Sequence, residues 1–210
     1  MSSEVVHRAT CRRSARCEGG RRMIPVVILA AGASLRLGRP KQMEELGGES
    51  LLARSVRVAA EAQLGPVYVV VSAADAAVIA GARSLRCEVV LNGDAAEGMA
   101  TSIRAGVGAL GGAATGAIVM TCDQPAVSPA HLRLLAAEAE GEVVASAYAG
   151  RRGVPAYFPL AMFGKLMELR GDAGARELLR DVCAVALKGG ETDVDSEEDL
   201  ERARAMFGGE

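Results

Sequence analysis

Cationic side chains and a run of small residues lie together at residues 29–42, LAAGASLRLGRPKQ. Gly32 and Gly38 let such a loop turn tightly and leave N–H groups free to face phosphate oxygens. Ser34 adds a hydroxyl donor. Arg36 and Lys41 bring two positive charges suited to a triphosphate, and Pro40 fixes the backbone just before Lys41. The loop is neither a P-loop, because five residues separate Gly32 from Gly38, nor the dinucleotide fingerprint G-x-G-x-x-G.

A carboxylate follows at Asp123, in Asp123-Gln124-Pro125, directly after the apolar run AIVMTC. An acid at the end of a buried strand is relieved by a cation, and Mg²⁺ prefers one or two carboxylates together with substrate phosphates and water. A turn cap is the competing role for Asp123. Five acids crowd residues 193–199. Glu197, Glu198 and Asp199 suit the first turn of a helix capped by Ser196, whereas Asp193 and Asp195 precede it and are placed to supply a second carboxylate. Between these motifs lies NGDAAEGMATS, residues 92–102. Asn92 and Asp94 suit a turn, Gly98 allows close approach, Met99 could cover a ring, and Ser102 falls in the first turn of the next helix. A capped helix start explains the same segment.

The elements that must hold these residues alternate. Short β-branched runs read as strands at 24–31, 67–71, 87–91, 117–122, 143–147, 156–158 and 185–187. Helical spacing appears at 51–62, 74–80, 100–110, 129–139, 160–169, 175–181 and 197–206, with Ser128 and Pro129 opening the fourth of these helices. The alternation predicts a doubly wound, three-layer α/β sandwich with a mostly parallel sheet. Ligands then sit at the carboxyl ends of the strands, where the motifs fall.

Composition excludes several functions. The net charge is −2, which gives no global pull toward nucleic acid or anionic lipid. Aromatic residues make up 3%, so stacking platforms for single strands are scarce. No apolar run is long enough for a membrane span. Five cysteines, Cys11, Cys17, Cys87, Cys122 and Cys183, show no CxxC spacing. Free thiols and a cytoplasmic location are expected. Residues 1–22 carry six arginines and no apolar segment, so they read as a disordered basic arm or as a start placed ahead of a natural one at Met23. Residues 23–210 read as one domain.

The set LAAGASLRLGRPKQ, NGDAAEGMATS, CDQP, GVPAYF, GDAGAR and DVDSEEDL resembles the MobA-like nucleotidyltransferases, and within them the molybdenum cofactor cytidylyltransferase (MocA-like) branch. The resemblance spans about residues 24–207. It implies the Rossmann-like architecture of nucleotide-diphospho-sugar transferases. It also implies that Ala30, Ala31, Gly32, Ser34, Arg36 and Gly38 cradle the nucleotide and that Lys41 contacts its phosphates. Asn92, Gly98 and Ser102 line the base and ribose pocket. Asp123 holds Mg²⁺ (or Mn²⁺), with Asp195 as second ligand ahead of Asp193. Gly153, Pro155 and the 171–176 segment, with Arg176, face a molybdopterin-type phosphorylated acceptor.

The implied reaction joins CTP to molybdopterin and releases pyrophosphate, and an apo molybdenum hydroxylase is the implied recipient of the product. GTP as donor, a sugar phosphate as acceptor, and a non-catalytic cofactor carrier are the alternatives. Lys41, read as an exposed charge, is expected to cost less than about 0.5 kcal/mol of stability when removed. The histidines, His7 and His131, lie away from the motifs. No general base is then required if the nucleophile is an ionised phosphate.

Overall fold

The computed structural model describes residues 23–208; the basic arm at 1–22 lies outside the described residues. Its centre is a seven-stranded sheet in the order β5-β4-β1-β6-β8-β7-β9. The strands are β1 (Val26–Leu29), β4 (Val67–Ser72), β5 (Glu88–Asn92), β6 (Gly116–Thr121), β7 (Val144–Tyr148), β8 (Arg151–Pro159) and β9 (Cys183–Ala186). A two-stranded ribbon, β2 (Glu45–Leu46) and β3 (Glu49–Ser50), was not foreseen; it is too short to show a period.

β1 sits between β4 and β6 and is parallel to both. Its residues are buried on both faces, which is why VVIL and AIVMT read as unbroken apolar runs. Strand alternation divides them. Val26 and Ile28 face one layer together with α1 (Leu51–Ala62), α2 (Ala76–Arg83) and α4 (Pro129–Ala137); Val27 and Leu29 face the other with α3 (Met99–Gly108) and α5 (Phe163–Met167). A third cluster seats α6 (Glu197–Phe207) through Leu200 and Ala203 against Leu46, Leu51 and Val194.

The expected sandwich is therefore present, with one departure at β8. The strand expected at 156–158 runs from Arg151 to Pro159 and is antiparallel to both β6 and β7. Its pairing with β7 shifts between Ala145 and Ser146, so Val154 and Pro155 stand outside the ladder. The missing N–H of Pro155 there costs no sheet hydrogen bond. The helices expected at 160–169 and 175–181 are shorter. The first is a 3₁₀ turn at Leu160–Met162 followed by α5, and the second is a 3₁₀ turn at Arg176–Leu179. No helix among the described residues is long and apolar enough to cross a membrane.

The chain leaves β1 toward β4 and β5, then returns to β6 on the other side of β1. That reversal opens a crevice at the carboxyl ends of β1 and β6. The loops 30–42 and 122–125 both emerge there.

Candidate active site

Lys41 is the hinge of the site. It lies in a 3₁₀ turn, Lys41–Met43, and is 9% exposed. Its ammonium donates to Asp123 Oδ2 and to Asp195 Oδ1, at 2.6 Å each. Arg36 reaches the other oxygen of Asp195 at 2.6 Å. Four charges from three distant segments thus form one chain: Asp123, Lys41, Asp195, Arg36. Burial alone would lower the pKa of Lys41, but the charges and hydrogen bonds of Asp123 and Asp195 outweigh it, and the net shift is upward. Lys41 is cationic throughout the physiological range. The exposed-charge expectation for Lys41 is therefore wrong. It came from reading a loop as surface, when the loop folds back over the two carboxylates.

Asp123 keeps one oxygen in reserve. Its Oδ1 is buried and has no hydrogen-bond partner. An orphaned carboxylate oxygen beside a second carboxylate fits a hard divalent cation. Among the described residues no group of three or more His, Cys, Asp or Glu could hold a metal alone. A cation held by one or two carboxylates would leave its remaining positions to phosphate and water. Asp193 pairs with a different cation, Arg151, at 3.6 Å. Burial first, then the charge of Asp123, pushes its carboxyl up to about 6.

Two clefts meet at this centre. One, of about 400 Å³, is walled by Ala30–Ala33, Leu35, Ala95, Ala96, Gly98 and Ser102. The other, of about 360 Å³, is walled by Tyr148, Arg151, Arg152, Gly153, Ala175 and Arg176. Lys41, Met99, Thr121, Asp123 and Asp172 line both.

The residues expected at the site divide accordingly. Ala31, Gly32, Gly98 and Ser102 line the first cleft, and Gly153 and Arg176 the second. Ala30 lines the first cleft, but its N–H is taken by Val70 O at 2.8 Å. Ser34 and Gly38 act within the loop: Ser34 Oγ accepts from Lys41 N at 3.1 Å, and Gly38 (φ 71°) closes a turn on Ser34 O. Asn92 is spent internally, since its amide donates to Thr101 Oγ1 and Ser102 Oγ while its oxygen accepts from Asp94 N. Pro155 does not line the second cleft; its carbonyl accepts from Ser146 Oγ at 2.6 Å. Gly98 (φ 111°) has a further role, because a Cβ there would strike Gly171 and Asp172. The NGDAAEGM and GDAGAR segments, far apart in sequence, therefore pack on each other.

Sequence reasoning missed Gln42, Gln124, Tyr148, Arg151 and Arg152. Gln124 is 4% exposed and links Thr121, Tyr148 and Gly190. Arg151 lies 5.2 Å over the Tyr148 ring. The signal for the arginines was the RRG that opens β8, two cations where a strand begins. Cys122, beside Asp123, is buried, and burial pushes its thiol up to about 12, which makes it inert.

The doubly wound sheet, the loop after β1 and the cation–carboxylate chain at the strand ends define a nucleotidyltransferase. The chain belongs to the MobA-like NTP transferase family, whose domain matches residues 26–188. It is 33% identical over 162 residues to the purine catabolism protein PucB of Bacillus subtilis (strain 168), covering 73% of this chain and 79% of that protein. It is 32% identical over 164 residues to nicotine blue oxidoreductase of Paenarthrobacter nicotinovorans, covering 73% and 80%. The structure of Rv0371c from Mycobacterium tuberculosis H37Rv superposes with a TM-score of 0.78 at 32% identity, over 88% of this chain and 98% of that one. A structure of Rv0371c in complex with manganese superposes at 0.72 with 29% identity, over 87% and 98%.

Gly106-Val-Gly108-Ala-Leu-Gly111 has dinucleotide-fingerprint spacing, but it lies at the end of α3 and not after a strand. Gly106 is there because a Cβ would strike Val27.

Proposed function

We propose that this nucleotidyltransferase takes CTP as donor and the terminal phosphate of molybdopterin as acceptor, forming molybdopterin cytosine dinucleotide and pyrophosphate. The observation that carries the reading is the meeting of two clefts at Lys41 and Asp123. A donor in the alanine-lined cleft and an acceptor in the arginine-lined cleft would present their phosphates to each other there. Two-substrate transfer needs that arrangement, and a carrier that only holds finished cofactor does not. The motif order N-x5-G-M-x-x-S, DQP, GD-x-GAR supports the cofactor branch.

In the reaction, an acceptor phosphate oxygen forms a bond to the α-phosphorus of CTP as the bond to the β-phosphate oxygen breaks, and pyrophosphate leaves with that electron pair. The nucleophile is already ionised, so no side chain need remove a proton. The protein positions the two phosphates and neutralises charge. Lys41 stands at the junction with its ammonium, and Arg36 adds a guanidinium on Asp195. Arg176, with Arg151 and Arg152, gives the acceptor cleft its positive wall. Asp123 and Asp195 would hold a divalent cation. Manganese accompanies Rv0371c, and we extend a divalent metal, Mg²⁺ or Mn²⁺, to this chain on the donor set described. When bound, such an ion supplies further charge neutralisation of the polyphosphate.

The test is thermal unfolding with each of the four NTPs, with and without Mg²⁺, followed by turnover with molybdopterin. A ligand at about 100 times its Kd adds roughly 2.7 kcal/mol, several degrees of Tm. A shift confined to CTP with Mg²⁺, and product formed from CTP, supports the proposal. Product from GTP makes the enzyme a guanylyltransferase. Stable binding to an apo molybdenum hydroxylase with no turnover of any NTP would make it a carrier.

A further inference from the structure

Gln42 follows Lys41 directly and is 2% exposed. Its side-chain nitrogen donates to Ala30 O at 2.8 Å and to Gly32 O at 2.9 Å. Both hydrogens of one amide therefore go to two carbonyls of the same loop. In a trans peptide the C=O of one residue and the N–H of the next point in opposite directions. Drawing the carbonyls of Ala30 and Gly32 onto Gln42 turns the N–H groups of Ala31 and Ala33 away from it. Ala31 and Ala33 both line the donor cleft. Among the described residues neither N–H has an acceptor within the chain.

We propose that Gln42 is a positioning residue of the donor site: it sets the polarity of the loop, so that the cleft meets a polyphosphate with the N–H donors of Ala31 and Ala33 and not with carbonyl oxygens. The inference rests on the reading of this cleft as the triphosphate site. A buried carbonyl that loses its donor is costly. Either peptide could relieve that cost by flipping, which would aim an oxygen at the anion. Lys41 supplies charge to the same cleft, but it cannot correct the sign of the loop's dipoles.

Gln42→Glu keeps the shape and removes both donors. With wild type and this variant we would measure KM for CTP against kcat, binding of inorganic tripolyphosphate, and the ¹⁵N–¹H shifts of Ala31 and Ala33 during tripolyphosphate titration. The expected result is a rise in KM for CTP on the order of ten- to a hundred-fold, with kcat within about three-fold, because the lost contacts bind without being special to the transition state. The two amide signals move on titration of wild type and stay still in the variant. A folded Gln42→Glu protein that binds tripolyphosphate as tightly as wild type overturns the inference. So does a wild type that binds it without moving either amide, and this arm needs no variant to fold. A wild type that binds neither CTP nor tripolyphosphate overturns the donor-site reading itself.

Discussion

The ammonium of Lys41 lies 2.6 Å from Asp123 Oδ2 and bonds Asp195 at the same length, so one lysine holds both carboxylates proposed as metal ligands. Lysine and a metal would draw on the same two carboxylates, the ammonium on Asp123 Oδ2 and the cation on the free Oδ1 beside it. Lys41→Met should therefore act in three ways. It leaves Asp123 without its ion-pair partner and Asp195 with Arg36 alone, costing about 1–3 kcal/mol in metal-free buffer. It tightens Mn²⁺ binding in the absence of nucleotide by on the order of ten-fold. It lowers kcat about 10²- to 10³-fold, because a charge-stabilising group is gone. Urea unfolding, Mn²⁺ titration followed by electron paramagnetic resonance, and CTP turnover check the three. A variant as stable as wild type that binds Mn²⁺ no better would show that the ammonium does not compete with the metal for these carboxylates.

The free oxygen of Asp123 separates the acids of this region. Asp123→Asn and Asp195→Asn should each abolish the Mg²⁺-dependent part of the CTP-induced Tm shift, with activity falling alongside. Asp193→Asn should keep that Mg²⁺-dependent shift, because Asp193 pairs with Arg151 on the acceptor side. Equal loss in all three variants would mean that the whole acidic segment acts as one field and that no ligand pair exists.

Gly98 couples the two clefts. Its positive φ and the proximity of Gly171 and Asp172 leave no space for a methyl group. Gly98→Ala should cost on the order of 2–4 kcal/mol. It should also raise KM for the acceptor more than KM for CTP, since the displaced 171–176 segment carries Arg176 into the acceptor cleft. Steady-state kinetics with each substrate varied in turn checks this. Equal rises would place the 171–176 segment outside acceptor binding.

What could be read in the sequence follows from how local each feature is. β1, β4 and β6 are buried on both faces, so their apolar runs announce them. β8 was clipped to its last residues because Arg151, Arg152, Gly153 and Pro155 suppress a strand signal, and only the shifted pairing with β7 shows why they are tolerated. Lys41 and Asp123 stood out because each is a charged residue in a motif that follows an apolar strand. Gln42 did not. A glutamine beside a lysine is ordinary in sequence, and its role depends on two carbonyls ten and twelve residues away. Arg36 was placed with the phosphates, but its salt bridge to Asp195 spans 159 positions and no spacing could reveal it.

His131 lies away from the motifs in sequence, yet the fold buries it against β7. Its Nε2 lies 2.7 Å from Ser146 Oγ, and Ser146 Oγ in turn donates to Pro155 O at 2.6 Å. The hydroxyl has one proton and gives it to Pro155, so Ser146 accepts from Nε2–H and the imidazole is the neutral Nε2–H tautomer. Burial lowers the pKa of His131 below its ordinary value of about 6.5. Between the lowered and the ordinary value, the unfolded chain binds the proton and the folded chain does not. Stability from this group is then complete above about pH 6.5 and is lost as the pH falls through the folded pKa. His131→Gln should remove that component, so the stability difference between wild type and variant should hold from pH 7.5 to about pH 6.5 and shrink from there to pH 5 in urea unfolding. Carboxylate effects are common to both proteins and cancel in the difference. Parallel pH profiles would mean that His131 accepts its proton in the folded state as readily as in the unfolded one, and the neutral His131–Ser146–Pro155 chain would be wrong.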